Sequence, residues 1–258
     1  MMSYRREEAV RVVTHGLEIN TTCLDMVLPL CMKQMIQQRP LSKYENDTND
    51  IKSIIRGLCE RYKLAEPEVE KFIALASGYN DVLILLKRPS MDHDYTDDFK
   101  TFVKRSPVLQ GVDELIKTAT RGSRSILDTV VLDVFPFKPK GRSYPTDEEC
   151  YEITEQMIRK KTPQVILGCC TSIDPKHWLY QFNAVSPNTK PTVRSADIQG
   201  KTVHFIPSFH PGFCLNHVPW SAQLRLLLVY HFLLTFHCTI LRPSIPRWSL
   251  KILFETQV

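Results

Sequence analysis

Two short segments carry the side chains best suited to chemistry. The first is Ser208-Phe209-His210-Pro211-Gly212. An imidazole at the mouth of a strand, as His210 would be, can donate to a developing oxyanion. Pro211 and Gly212 would shape a turn that lets a phosphate approach the backbone closely. The plainer role for His210 is a loop histidine bonded to backbone. The second segment is Leu132-Asp133, an apolar run closed by a carboxylate. When ionised, Asp133 accepts hydrogen bonds and donates none. Its plainer role is a cap or a salt bridge at a strand end.

Other candidates lie in polar stretches. Lys87 and Arg88 follow an apolar run, and neither is a good general base at neutral pH. Asp92, His93 and Asp94 form an acid–histidine–acid cluster, a pattern that in a loop is ordinarily solvated surface. Lys138, Lys140 and Arg142 make a basic loop whose natural use is phosphate neutralisation, with plain solvation as the alternative. His210, Cys214 and His217 have an H-x3-C-x2-H spacing but no fourth ligand nearby, so zinc is not expected. Cys169-Cys170 follows an apolar run and reads as inert thiol.

The elements that must position these residues show in the apolar pattern. Val82–Leu86, Thr129–Leu132, Val165–Leu167 and Val203–Pro207 are short continuous apolar runs, as expected of strands buried on both faces of a parallel sheet. Helical patterns lie between and after them at Val112–Thr120, Asp147–Lys161 and Trp220–Phe236. Asp147–Lys161 has three acids in its first turn and three bases in its last, which complements the helix dipole. Strands alternating with helices imply a sheet covered on both faces, with ligands at the carboxyl ends of its strands. Residues 1–78 read as helical, with Leu24, Val27, Leu28, Cys31 and Met35 on one stripe. Ile51, Ile54, Ile55 and Leu58 start a second helix, and Pro67 opens a third. Residues 183–200 read as a polar surface loop, and the tail after Arg242 has no clear period.

The segment 132–169, LDVFPFKPKGRSYPTDEECYEITEQMIRKKTPQVILGC, resembles the middle of uracil-DNA glycosylase superfamily domains. In that family a strand ends in a base-reading Asn, a basic, proline-containing loop leads to a Pro-Thr-x-Glu-Glu helix start, and a strand ending in Leu-Gly follows. The matching parts are Asp133, Lys138–Tyr144, Pro145-Thr146-Asp147-Glu148-Glu149 and Pro163–Gly168. His210-Pro211-Gly212 is similar to the family's second active-site motif, and Leu86-Lys87-Arg88-Pro89-Ser90 stands at the first. The resemblance spans roughly residues 80–236. It implies that His210 stabilises the leaving base and that Asp133 reads it. Asp92 or Asp94 would orient water in place of Lys87 and Arg88. The family's stacking aromatic aligns with Val108, and Phe99 or Phe102 could replace it. Because Asp133 replaces Asn, either the preferred base differs, or Asp133 is protonated, or catalysis is lost. The family's cluster positions fall at Phe137 and near Ile153, so no iron–sulphur cluster and no other cofactor is expected.

Composition is compatible with this picture without selecting it. A net charge of +5 permits a polyanionic partner, as it does in many proteins with no nucleic-acid role. None of the eight cysteines forms a CxxC pair, and no signal-peptide pattern is visible, so reduced thiols in a nuclear or cytoplasmic protein are expected. The Leu-rich stretch 222–241 contains Gln223, Arg225, His231 and His237, which favours a buried helix over a membrane span. The expected architecture is therefore α/β: a three-layer domain over 79–241 with a central four-stranded parallel sheet, a helical extension over 1–78 and a tail over 242–258. The expected partner is DNA, single- or double-stranded, and the expected function is base-excision hydrolysis. The alternatives are a catalytically inactive nucleic-acid-binding relative and an unrelated α/β interaction protein.

Overall fold

A computed structural model of the chain describes residues 44–45, 48–89, 94–120, 122–137, 144–185, 193–212, 228–229 and 231–236. The short strand β1 (Tyr44–Glu45) precedes helices α1 (Thr48–Tyr62) and α2 (Glu66–Ala76). Strand β2 (Gly78–Leu86) leads to α3 (Phe99–Arg105) and α4 (Pro107–Thr120), and then to β3 (Thr129–Asp133). Helix α5 (Asp147–Lys161) connects to β4 (Val165–Gly168), and the hairpin of β5 (Arg194–Ile198) and β6 (Lys201–Pro207) follows. Residues 228–229 and 231–236 are helical.

The four apolar runs are the four parallel strands, in spatial order β3-β2-β4-β6. Their registers are Leu86 against Asp133, Leu85 against Gly168 and Gly168 against Pro207. The sheet is not limited to these four. β5 adds a fifth strand, antiparallel to β6, and β1 touches the start of β2. The expectation of a four-stranded sheet, with 183–200 as a loop, is corrected accordingly. Most of β5 is exposed, so it lacks the apolar signal of a buried strand. The β5–β6 turn is Gln199-Gly200, both at positive φ, which suits a two-residue hairpin.

Side chains alternate across the sheet and divide the core in two. Leu83, Leu85, Val130, Leu132, Ile166 and Phe205 face one side, where they meet α1, α2 and α5. Val82, Ile84, Leu86, Val131, Leu167 and Ile206 face the other, where they meet α3, α4 and the helical residues near Phe232. Burial on both faces is why these strands read as unbroken apolar runs. α1 shows the one-sided counterpart: Ile51, Ile55 and Leu58 are buried at helical spacing, while Lys52 and Arg56 are exposed. The described helices of the N-terminal segment thus share the core of the sheet.

Several polar devices fix the frame. α5 has the boundaries its charges announce. Thr146 and Glu149 form a capping box at its start, and Thr162 closes it in the left-handed conformation. Glu149 also accepts from the Tyr62 hydroxyl at 2.6 Å and pairs with Arg61, which ties α1 to α5. Asp81, in β2, and Arg124, before β3, form a buried two-pronged ion pair at 2.7 and 2.5 Å. Gly168 admits no side chain, since a Cβ there would lie 2.4 Å from the Phe182 carbonyl oxygen and 2.5 Å from the Phe205 ring.

Candidate active site at the carboxyl edge of the sheet

Four parallel strands deliver their carboxyl ends to one edge. β2 is followed by Lys87 and Arg88, β3 ends on Asp133, β4 is followed by Cys169 and Cys170, and β6 leads to Ser208 and His210. The sheet bonding continues past the strand ends. Phe135 N–H donates to the Lys87 carbonyl at 3.0 Å, Cys169 N–H to Leu85 at 2.8 Å and Ser208 N–H to Gly168 at 2.8 Å. The candidate loops are thereby held by backbone. The chain runs outward from β2 to β3 and then crosses to β4 on the opposite side of β2, and such a switch point is where open α/β sheets bind ligands. Three strand spacings of about 4.8 Å separate the β3 and β6 ends by about 14 Å. Asp133 and His210 therefore flank the edge, with the Lys87–Arg88 and Cys169–Cys170 turns between them.

Asp133 is 8% exposed, and its Oδ1 has no hydrogen-bond partner among the described residues. Burial raises its carboxyl from 3.8 to about 7, against an opposing pull from the Arg88 guanidinium. It is therefore poised between acid and carboxylate at neutral pH. In the acid form it can both donate and accept, as an amide does. Arg88 lies over the Phe135 ring with its Cζ 4.9 Å from the ring centre. Cys170 stands in the fields of Lys87, Asp133 and Arg88, and burial pushes its thiol up to about 11.

His210 is half-buried, and its Nδ1 accepts from the Gly212 N–H at 3.1 Å. That bond assigns the ring proton to Nε2. Burial first, and the Lys87 charge second, push the imidazole down to about 4. His210 is thus a neutral imidazole with an Nε2–H donor. The turn requires glycine at 212, because a Cβ there would lie 3.0 Å from His210 Nδ1 and 3.3 Å from Val108 Cγ2.

Behind His210 runs a buried polar chain. The Ser208 hydroxyl lies 2.7 Å from His231 Nδ1, and the Cys169 thiol hydrogen-bonds to Ser208. All three side chains are at most 1% exposed. They anchor the β4 and β6 ends to the helical residues around 231 and offer no access to a substrate.

A partly open recess of about 20 Å³, the space of one water, adjoins Asp133. Its polar lining is Glu68, Lys71, Tyr95 and Asp133, and Phe102 forms an apolar wall. Tyr95 stacks on Phe102 with ring centres 5.5 Å apart. Burial first, then the charges of Glu68 and Asp133, push the Tyr95 hydroxyl up. His210 is not part of this lining.

The remaining candidates divide. Phe102 lines the recess, and Phe99 packs beside it at 6.2 Å. Pro211 and Gly212 are buried in the His210 turn. Asp94 is exposed, and its Oδ1 takes the N–H and the hydroxyl of Thr96 at 3.0 and 2.6 Å. Phe137 packs on Phe72 in the core. Asp92, Lys138, Lys140, Arg142, Cys214 and His217 lie outside the described residues. Glu68, Lys71, Tyr95 and His231 belong to the site or its support without having been singled out in the sequence. For Glu68 and Lys71 a signal existed: two charges at i, i+3 beside the Phe72–Leu75 stripe of one helix. Among the described residues no helix is long and apolar enough to cross a membrane. No protein-family model matches the chain, and no curated protein matches it.

Proposed function

We propose that the chain is a DNA glycosylase-like hydrolase that cleaves the N-glycosidic bond of a deaminated or damaged base. One observation carries the reading: the sheet edge holds a neutral imidazole with its Nε2–H as donor, at the same edge as a buried carboxyl with an oxygen that has no partner among the described residues. A neutral N–H donor stabilises the anionic charge that develops on a departing base without itself losing a proton. A buried carboxyl near its titration midpoint can hydrogen-bond to the edge of an extruded base in either protonation state. Lys87 and Arg88 at the same edge suit the flanking phosphates. The test is release of free base from oligonucleotides bearing uracil, hypoxanthine or xanthine. Absence of abasic product on all three contradicts the proposal.

A second reading, a nucleic-acid-binding relative without catalysis, is favoured by the recess itself. About 20 Å³ admits a water and not a base. This reading expects binding to the same oligonucleotides with no abasic product.

A further inference from the structure

We propose, resting on the glycosylase reading, that Glu68 on α2 is the carboxylate that orients and deprotonates the attacking water. Position is the first argument. Glu68 is 2% exposed and lines the one-water recess together with Asp133. Helix α2 enters the sheet's core through Val69, Phe72, Ile73 and Ala76. That packing fixes the face from which Glu68 and Lys71 reach the recess. A carboxylate offers about four acceptor sites on two oxygens, so Glu68 can hold a water whatever else it bonds to.

The second argument is independent of Glu68. Asp133 is more than nine-tenths buried, lines the same recess and has an oxygen with no partner among the described residues. Buried polar atoms are satisfied in native proteins, so an orphan oxygen beside a water-sized space points to an occupant. The third argument is chemical. Lys87 and Arg88 are cationic and cannot accept a proton from water. Asp94 is exposed and committed to Thr96. Among the described carboxylates, Glu68 is the one that shares a water-sized space with the base-reading position.

The step balances without a further reactant. The water oxygen bonds to C1′ while its proton passes to Glu68. The C1′–N bond breaks, and its electron pair leaves on the base. The Nε2–H of His210 holds that charge until solvent protonates the base. Glu68 returns its proton to solvent, which leaves a C1′ hydroxyl and a free base.

The experiment compares wild type, Glu68→Gln and Glu68→Ala in single-turnover cleavage of uracil-, hypoxanthine- and xanthine-bearing oligonucleotides. Binding to an oligonucleotide with a tetrahydrofuran abasic analogue is measured in parallel. Glu68→Gln is expected to lower the rate about 10²- to 10⁴-fold, the range for loss of a general base, with binding within about twofold of wild type. A Glu68→Gln rate equal to wild type overturns the assignment while leaving the glycosylase reading intact. Wild type that cleaves none of the three overturns both. Should Glu68→Gln melt earlier than wild type, Glu68→Ala with added formate decides. Restored cleavage supports a proton-accepting role, which a structural residue would not show, and no restoration overturns it.

Discussion

Replacing Asp133 by Asn isolates the buried carboxyl of the site. The wild-type carboxyl is raised from 3.8 to about 7 by burial. Between those two values the folded chain holds a proton that the unfolded chain has released. Wild-type stability therefore falls as pH rises from about 4 to about 7, and stays low above that. The full shift of about three units corresponds to about 4 kcal/mol. At pH 5 roughly 2 kcal/mol of that penalty is already present, because the unfolded carboxyl is mostly ionised, and at pH 8.5 nearly all of it is. An amide of the same shape carries no charge at either pH. The stability of Asp133→Asn relative to wild type should therefore grow by about 2–3 kcal/mol between pH 5 and pH 8.5. Urea unfolding of both proteins at half-unit pH intervals measures this difference directly. A difference that is flat with pH, or that shrinks as pH rises, would refute the claim that burial outweighs the Arg88 charge at Asp133.

Two further perturbations test the frame. Arg124→Ala leaves Asp81 buried without its two-pronged partner and should lower stability by about 3–5 kcal/mol, read as a drop in the urea midpoint. Replacing both partners by leucine should recover much of that loss. His231 is buried and its imidazole is pushed down to about 4. The unfolded chain takes up a proton near 6.5 that the folded chain refuses, so this contribution to stability is lost as pH falls. It amounts to about 2 kcal/mol between pH 7 and pH 4.5. His231→Asn should flatten the acid limb of the unfolding curve by that amount, and an unchanged limb would contradict the buried neutral imidazole.

The sequence disclosed what repeats along it and concealed what depends on contact. The four parallel strands were legible because burial on both faces removes every polar residue from Val82–Leu86 and nearly all from its counterparts, where Thr129 and His204 are the exceptions. Both ends of α5 were legible because Thr146, Glu149 and the terminal charges are local signals. β5 was not, because an exposed antiparallel edge strand keeps a loop-like composition. Asp133 and His210 were visible as residue types at strand ends. Their proton states were not, since these come from burial and from Lys87 and Arg88 across strands. Glu68 reaches the site from a helix that ends before β2 begins, and Ser208 meets His231 across 23 positions. The Ser208–His231 contact has no pattern along the chain, and the i, i+3 charges of Glu68 and Lys71 mark a helix face without showing what it meets.

The most direct test of the account is single-turnover release of base by wild type and His210→Ala on uracil-, hypoxanthine- and xanthine-bearing oligonucleotides. The account predicts abasic product with wild type on at least one of them, and a rate about 10²- to 10³-fold lower for His210→Ala, the usual effect of removing one donor to a developing anion. No product with wild type, or equal rates for the two proteins, would contradict it.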